Sequence, residues 1–197
     1  MDMASNRRIG AESSKTRAAL LDATEQLMLE EGYAAVSSRR IAQKAGLKPQ
    51  LVYYYFRTMD DLFLAAFRRR AEKGLERQAE AVASNQPLQA LLAFSDDPTG
   101  TALTMEFAAL ANHRKSVRAE IARYGETFRN RQTEILTMVM EEHGVDTELF
   151  PPIAVMLLLT GVSQILVMEE ALGMSAGHAE TRDLVARLLR QFERRSK

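Results

Sequence analysis

Cysteine and tryptophan are absent from the 197 residues. Without cysteine there is no disulfide and no thiolate-held metal, and a reducing compartment is expected. No alternating apolar–polar run of useful length occurs, so a sheet is not expected. Charge of one sign is not in excess, since 26 Lys and Arg offset 26 Asp and Glu. The opening stretch, MDMASNRRIGAESSKTR, lacks an apolar run and reads as a flexible basic arm, not a secretory signal. The most apolar stretch, IAVMLLLTGVSQILVM at 153–168, falls short of the roughly 20 residues of a membrane span. It also carries Thr160, Ser163 and Gln164, so a buried helix is expected and no membrane partner. The histidines, His113, His143 and His178, form no i, i+4 ligand pair. No nucleophile–base pattern or phosphate-cradling glycine loop is present, so neither an enzyme, a metal site nor a cofactor is expected.

What is present is 46% apolar and 26% charged residues, the balance of an ordinary soluble domain. The charge is unevenly spread. Residues 1–70 hold 12 Lys and Arg against 8 Asp and Glu, and residues 71–197 hold 14 against 18. A basic N-terminal third on an acidic body suits a polyanion contact confined to that third.

Helical signals recur along the whole chain. Leu20, Ala23, Thr24, Leu27 and Met28 form one helical face, with Ser13 or Ser14 as cap and Gly32 as stop. A short helix over about 38–45 follows, capped by Ser38, with Ile41, Ala42 and Ala45 inward. Gly46 breaks it. Pro49 starts another short helix ending near Phe56, and Thr58 caps a long one from Met59 to about Ala83. Pro87 opens a short helix to about Phe94, and 95–100 reads as a turn. Helices are expected at about 101–112, 116–142, 152–171 and 179–195, nine in all.

Helix, glycine-containing turn and helix over 37–56 is the helix-turn-helix layout, whose second helix can enter a major groove. Arg39 lies in the first turn of the first helix, where a cation opposes the dipole; it either meets an external anion or guanine or is simply solvated. On the second helix, at about 100° per residue, Gln50, Tyr53 and Tyr54 share one face, and Val52, Tyr55 and Phe56 another, with Leu51 at the boundary. The first set offers an amide for adenine and phenols for phosphates, with Lys48 at the leading edge.

The stretch SSRRIAQKAGLKPQLVYYYFRTMDDLF resembles the DNA-binding domain of the TetR family of bacterial transcriptional regulators, and TRAALLDATEQLMLEEGYAAVS resembles that family's first helix. The likeness covers about residues 12–67. It implies a cytoplasmic homodimeric repressor on a palindromic DNA operator, released by a small apolar effector. It carries DNA contacts onto Ser38, Arg39, Lys48, Pro49, Gln50, Tyr53, Tyr54 and, at the margin, Tyr55. Met59 stands where the family usually has Lys, so either one phosphate contact is missing or Arg57 replaces it. Leu51 stands where the family often has a small residue; it either meets a thymine methyl or lies inside.

The expected organisation is all-α, with a DNA-binding domain over 1–57 and a ligand-binding and dimerisation domain over 58–197. In the latter, Val117, Ile121, Tyr124, Phe128, Ile135 and Val139 form a stripe that Gln132 interrupts. A polar group there either orients a ligand in an apolar cavity or is a satisfied core glutamine. With Met105, Ala108 and Asn112, the residues Tyr124, Phe128 and Gln132 are the candidate effector contacts. The last two helices read as a dimer interface: Ile153, Leu157, Thr160, Gln164 and Met168 on one, Leu184, Leu188 and Phe192 on the other. Met156 shares the first of these faces, while Leu158, Val162 and Ile165 line another. Gly161 can permit close helix approach. His113-Arg114-Lys115 is expected to be solvated, and Glu169-Glu170 to be a surface pair. A constitutive DNA-binding protein without effector is the alternative, with a helical enzyme or lipid carrier behind it.

Overall fold

The computed structural model describes residues 15–82, 97–142 and 144–194, and of residues 78, 81–82 and 189–194 the backbone only. Its elements are α1 (Lys15–Glu31), a 3-10 turn (Tyr33–Ala35), α2 (Ser38–Lys44), α3 (Gln50–Tyr55), α4 (Met59–Val82), α5 (Pro98–His113), α6 (Lys115–Glu142), α7 (Pro152–Ala171) and α8 (His178–Arg194). Eight α-helices and no strand occur among the described residues, in line with an all-α chain. The candidate caps Ser13 and Ser14 and the segment 87–94 lie outside the described residues.

Most helix ends follow local chemistry. Gly32, at φ 80°, ends α1 as its N–H donates to the Met28 carbonyl. Gly46, at φ 65°, ends α2 in a Schellman turn: Leu47 N–H donates to Ala42 C=O (2.8 Å) and Gly46 N–H to Gln43 C=O (3.2 Å). Thr58 and Asp61 cap α4 reciprocally, each side chain accepting the other's N–H at 3.0 and 3.1 Å.

Two ends differ from expectation. The cap of α2 is Ser37, not Ser38. Ser37 is extended (φ −140°, ψ 158°) and its hydroxyl accepts the Arg40 N–H, whereas Ser38 is already helical. Residues 98–100 are not a turn but the opening of α5. Pro98 sacrifices no hydrogen bond at a first helical position, and the Asp97 carbonyl accepts the Thr101 N–H (2.9 Å).

The chain forms two compact units. The first holds residues up to Arg70 together with Leu103–Ala122, and the second Ala71–Ala102 with Arg123 onward. In the first, the α1 face expected from the sequence (Leu20, Ala23, Thr24, Leu27, Met28) is buried with Ile41, Ala42, Val52 and Phe56, and with Leu62, Phe63, Leu103, Phe107 and Val117. The second has its own core of Ile135, Leu136, Val139, Met140, Val145 and Met156. The stripe read along α6 is therefore divided: Val117 and Ile121 serve the first core, Ile135 and Val139 the second.

α7 is not the buried helix its composition suggested. Among the described residues it alone is long and apolar enough to cross a membrane, yet only 22% of its most apolar window is buried. Met156, Ser163, Leu166 and Val167 face inward. The opposite arc is open, with Ile153, Leu157, Leu158 (70% exposed) and Ile165 on it. Met156 therefore leaves the face it was expected to share with Ile153, and Leu158 and Ile165 join it.

Nor is Glu169-Glu170 a free surface pair. His178, buried at the start of α8, is bonded to Glu169 through Nε2 (2.8 Å), and Glu170 pairs with Arg182. The Arg182 bond holds the Glu170 carboxyl below its ordinary range against a smaller opposing effect of burial.

Candidate nucleic-acid interface

The Schellman turn after α2 and Pro49 before α3 set the angle between these two helices. Pro49 has helical angles (φ −56°, ψ −31°), its carbonyl accepts the Val52 N–H (3.1 Å), and the Lys48 carbonyl accepts the Leu51 N–H (3.0 Å). With only six residues, α3 can bury one stripe. Val52 and the following Phe56 fill it, packed in the same cluster as Ile41 and Ala42, with Leu47 against them.

That burial turns the other stripe outward. Tyr53 is 56% and Tyr54 50% exposed, and Gln50, Lys48 and Pro49 are exposed beside them. Tyr55 and Leu51 are half-buried. Tyr55 packs on the core and meets the Tyr54 ring edge-on, centroids 5.1 Å apart at 89°. Three consecutive tyrosines thus divide into two facing out and one at the rim.

The cations divide as well. Arg40 is bound by both carboxylate oxygens of Glu31, and Lys44 by Glu30 at 2.6 Å, so these two pin α2 to α1. The Arg40 bond lowers the Glu31 pKa and raises that of the guanidinium, burial opposing both. Arg17 lies over the Phe56 ring, 5.2 Å from its centre. Arg39, Lys48 and Arg57 are exposed and make no ion pair among the described residues. Ser38 is half-buried one residue before Arg39. Met59 is half-buried against the first core and presents no charge. Among the described residues, two phenols, an amide and the cations Arg39, Lys48 and Arg57 are thus exposed on and just after the helix-turn-helix. Sequence reasoning missed the engagement of Arg40 and Lys44, because their partners are 9 and 14 residues away and no local pattern marks them.

Residues 20–66 match the model of the bacterial regulatory proteins, tetR family. This segment is similar to the tetR family's model. Over 112 residues the chain is 31% identical to the HTH-type transcriptional regulator PksA of Bacillus subtilis, covering 52% of this chain and 55% of that one. Over 63 residues it is 27% identical to the fatty acid metabolism regulator protein of the same organism, 32% of each. The matches thus span about half and a third of these two regulators. In fold, a Rhodococcus sp. protein assigned to the TetR-family regulators is similar over 93% of this chain and 100% of its own, with TM-score 0.69 and 18% identity. FadR of Bacillus subtilis, solved in complex with stearoyl-CoA, is similar over 79% and 87%, with TM-score 0.64 and 18% identity. At these identities the TetR likeness beyond the N-terminal domain is one of fold.

The candidate effector residues are not gathered in one unit. Met105, Ala108 and Asn112 belong to the first and are exposed; Tyr124, Phe128 and Gln132 belong to the second, where Gln132 alone is buried, at 5%. Of the candidate interface, Ile153, Leu157, Gln164, Leu184 and Leu188 are exposed and Thr160 and Met168 half-buried, with Thr160 donating to the Met156 sulfur (3.7 Å). The Phe192 side chain lies outside the described residues.

Proposed function

We propose that this chain is a cytoplasmic, homodimeric, ligand-responsive transcriptional regulator that represses by binding a palindromic DNA operator. The observation that carries the reading is the exposed face of α3, where Tyr53, Tyr54 and Gln50 follow Lys48, with Arg39 exposed on α2; neither cation makes an ion pair among the described residues. Cations unclaimed by carboxylates are available to phosphates, and a glutamine amide can take adenine bidentately. Residues 1–57 carry this reading head, with Ser38, Pro49 and Tyr55 at its margin. Arg57 supplies the phosphate contact that Met59 cannot.

Residues 58–197 carry the dimer and effector functions. A helix that is apolar nearly all round but covered on one side needs a second partner. The open arc of α7 with Leu184 and Leu188 on α8 supports a four-helix bundle between two copies. Gly161, where an added Cβ would meet nothing within 4 Å, leaves room for close approach of the partner helix. Dimerisation sets two α3 helices to read half-sites one turn of DNA, about 34 Å, apart. An effector that binds better to a conformation with another spacing then releases the operator. Apolar acyl compounds are the first class to test, given the stearoyl-CoA complex of the FadR neighbour and the buried Gln132 as an orienting amide.

Gel shifts on DNA flanking the gene, with acyl-CoA thioesters titrated in, test the whole reading. Retarded DNA released by one chain length supports it. Salt-sensitive binding that no compound relieves favours a constitutive DNA-binding protein, and absent or salt-insensitive binding opposes DNA recognition altogether.

A further inference from the structure

The helix-turn-helix segment 37–56 is held at both ends by one stretch of chain, residues 106–116. Ahead of it, the Tyr33 N–H opens the 3-10 turn leading to α2. Glu106 on α5 accepts that N–H at 2.6 Å, a bond across 73 residues of sequence. The turn fits closely around the carboxylate: a Cβ on Gly32 would sit 3.5 Å from Glu106 Oε2, and Gly32 holds φ 80°. The Tyr33 ring stacks on His113, two turns further along α5, with centroids 6.1 Å apart at 25°.

Behind it, Asp60 in the first turn of α4 is bound by the Arg114 guanidinium and by the Ser116 hydroxyl at 2.9 Å. Arg114 also lies over the Phe63 ring, 5.5 Å from its centre. The junction is braced from its own side, because Arg118 on α6 donates to the Ala111 and Asn112 carbonyls that close α5 (3.2 and 3.4 Å). His113-Arg114-Lys115 is exposed, as expected of a solvated junction, but the first two also have protein partners that the sequence did not suggest.

Locally the 3-10 turn is closed by two backbone bonds, from Ala35 N–H to Gly32 C=O and from Val36 N–H to Tyr33 C=O (3.2 and 3.1 Å), and neither engages the Tyr33 N–H. Its start has no side-chain cap from its own neighbours, so the first N–H, that of Tyr33, needs a partner from elsewhere in the chain. We propose that Glu106 and Arg114 are positioning residues for DNA reading: Glu106 fixes the turn before α2 and Arg114 the helix start after α3, so that together they set the pitch of the reading head. The inference rests on the DNA-binding reading and adds residues that themselves touch no DNA.

The test uses the full-length protein and a duplex enriched by the wild type from a random-sequence pool. Glu106→Leu is expected to weaken binding at least tenfold and to speed exchange of the Tyr33 amide hydrogen at least tenfold. Glu106→Gln keeps an acceptor oxygen and is expected to bind within threefold of wild type. Arg114→Met is expected to weaken binding, and the double variant to lose less than the product of the two single losses. Val139→Ala in the second core lowers the melting temperature without touching the junction, and is expected to leave affinity within twofold. The proposal is overturned if Glu106→Leu binds at wild-type strength, if the Tyr33 amide exchanges unchanged, or if Val139→Ala weakens binding as much at equal loss of Tm. If the wild type enriches no duplex, the DNA reading fails, and amide exchange at Tyr33 still decides whether Glu106 fixes the turn.

Discussion

Tyr53 and Tyr55 are two residues apart and have opposite surroundings. A six-residue helix turns the first outward and leaves the second half-buried on the core. The two call for different outcomes on substitution. Tyr53→Phe removes one hydroxyl from the exposed face; it is expected to weaken operator binding by about 1.5 kcal/mol or more, a tenfold change, with the melting temperature unchanged. Lys48→Ala is expected to act similarly and to lower the salt slope of binding by about 1, read from titrations at several salt concentrations. Val52→Asp instead buries a charge beside Ile41 and Phe56 and is expected to unfold the N-terminal domain, seen as loss of its helical circular dichroism. Asp60 gives a pH signature. Burial alone raises its pKa, but the Ser116 hydroxyl and the Arg114 guanidinium outweigh that and hold the carboxyl below its ordinary range. Its contribution is therefore complete at neutral pH and fades as pH falls through the carboxylate range. The stability difference between wild type and Asp60→Asn, followed by thermal melts, is expected to shrink over that window.

At the scale of elements, what could be read in the sequence tracks how local the cause is. α1 and α4 are legible in the sequence because face spacing and the Thr58 cap act within a few residues, and α7 because it is a long apolar run. The cap of α2 was misplaced by one because Ser37 and Ser38 are chemically identical; only the extended backbone of Ser37 separates them. Pro98-Thr99-Gly100 has turn composition and helical structure, since the first turn of a helix needs no N–H from proline. The face of α3 was legible from periodicity alone. The bond from Glu106 to Tyr33 was not, because no pattern links residues 73 apart. Two glycines offer a test within single helices. Gly125 in α6 would place a Cβ in open space with no positive φ to require glycine. Gly125→Ala is expected to stabilise the protein by about 0.5–1 kcal/mol in denaturant melts. Gly161→Ala gains the same helix propensity, yet it is expected to weaken the dimer in sedimentation equilibrium, because its open space is proposed to receive the partner.

For the molecule as a whole, two compact units share three helices, α4, α5 and α6, each of which passes from one unit to the other. The helix-turn-helix and the contacts from Glu106 and Arg114 lie in the first; the core around Ile135 and Met156, with the exposed arc of α7, lies in the second. The central claim is that the exposed face of α3 reads DNA in a dimer. Selection of duplexes from a random-sequence pool by the purified full-length protein tests it most directly. The expected result is enrichment of a palindrome, bound by two copies, with affinity falling steeply with salt and lost in Lys48→Ala with Tyr53→Phe. Failure to enrich any sequence, or equal enrichment by that double variant, would contradict it.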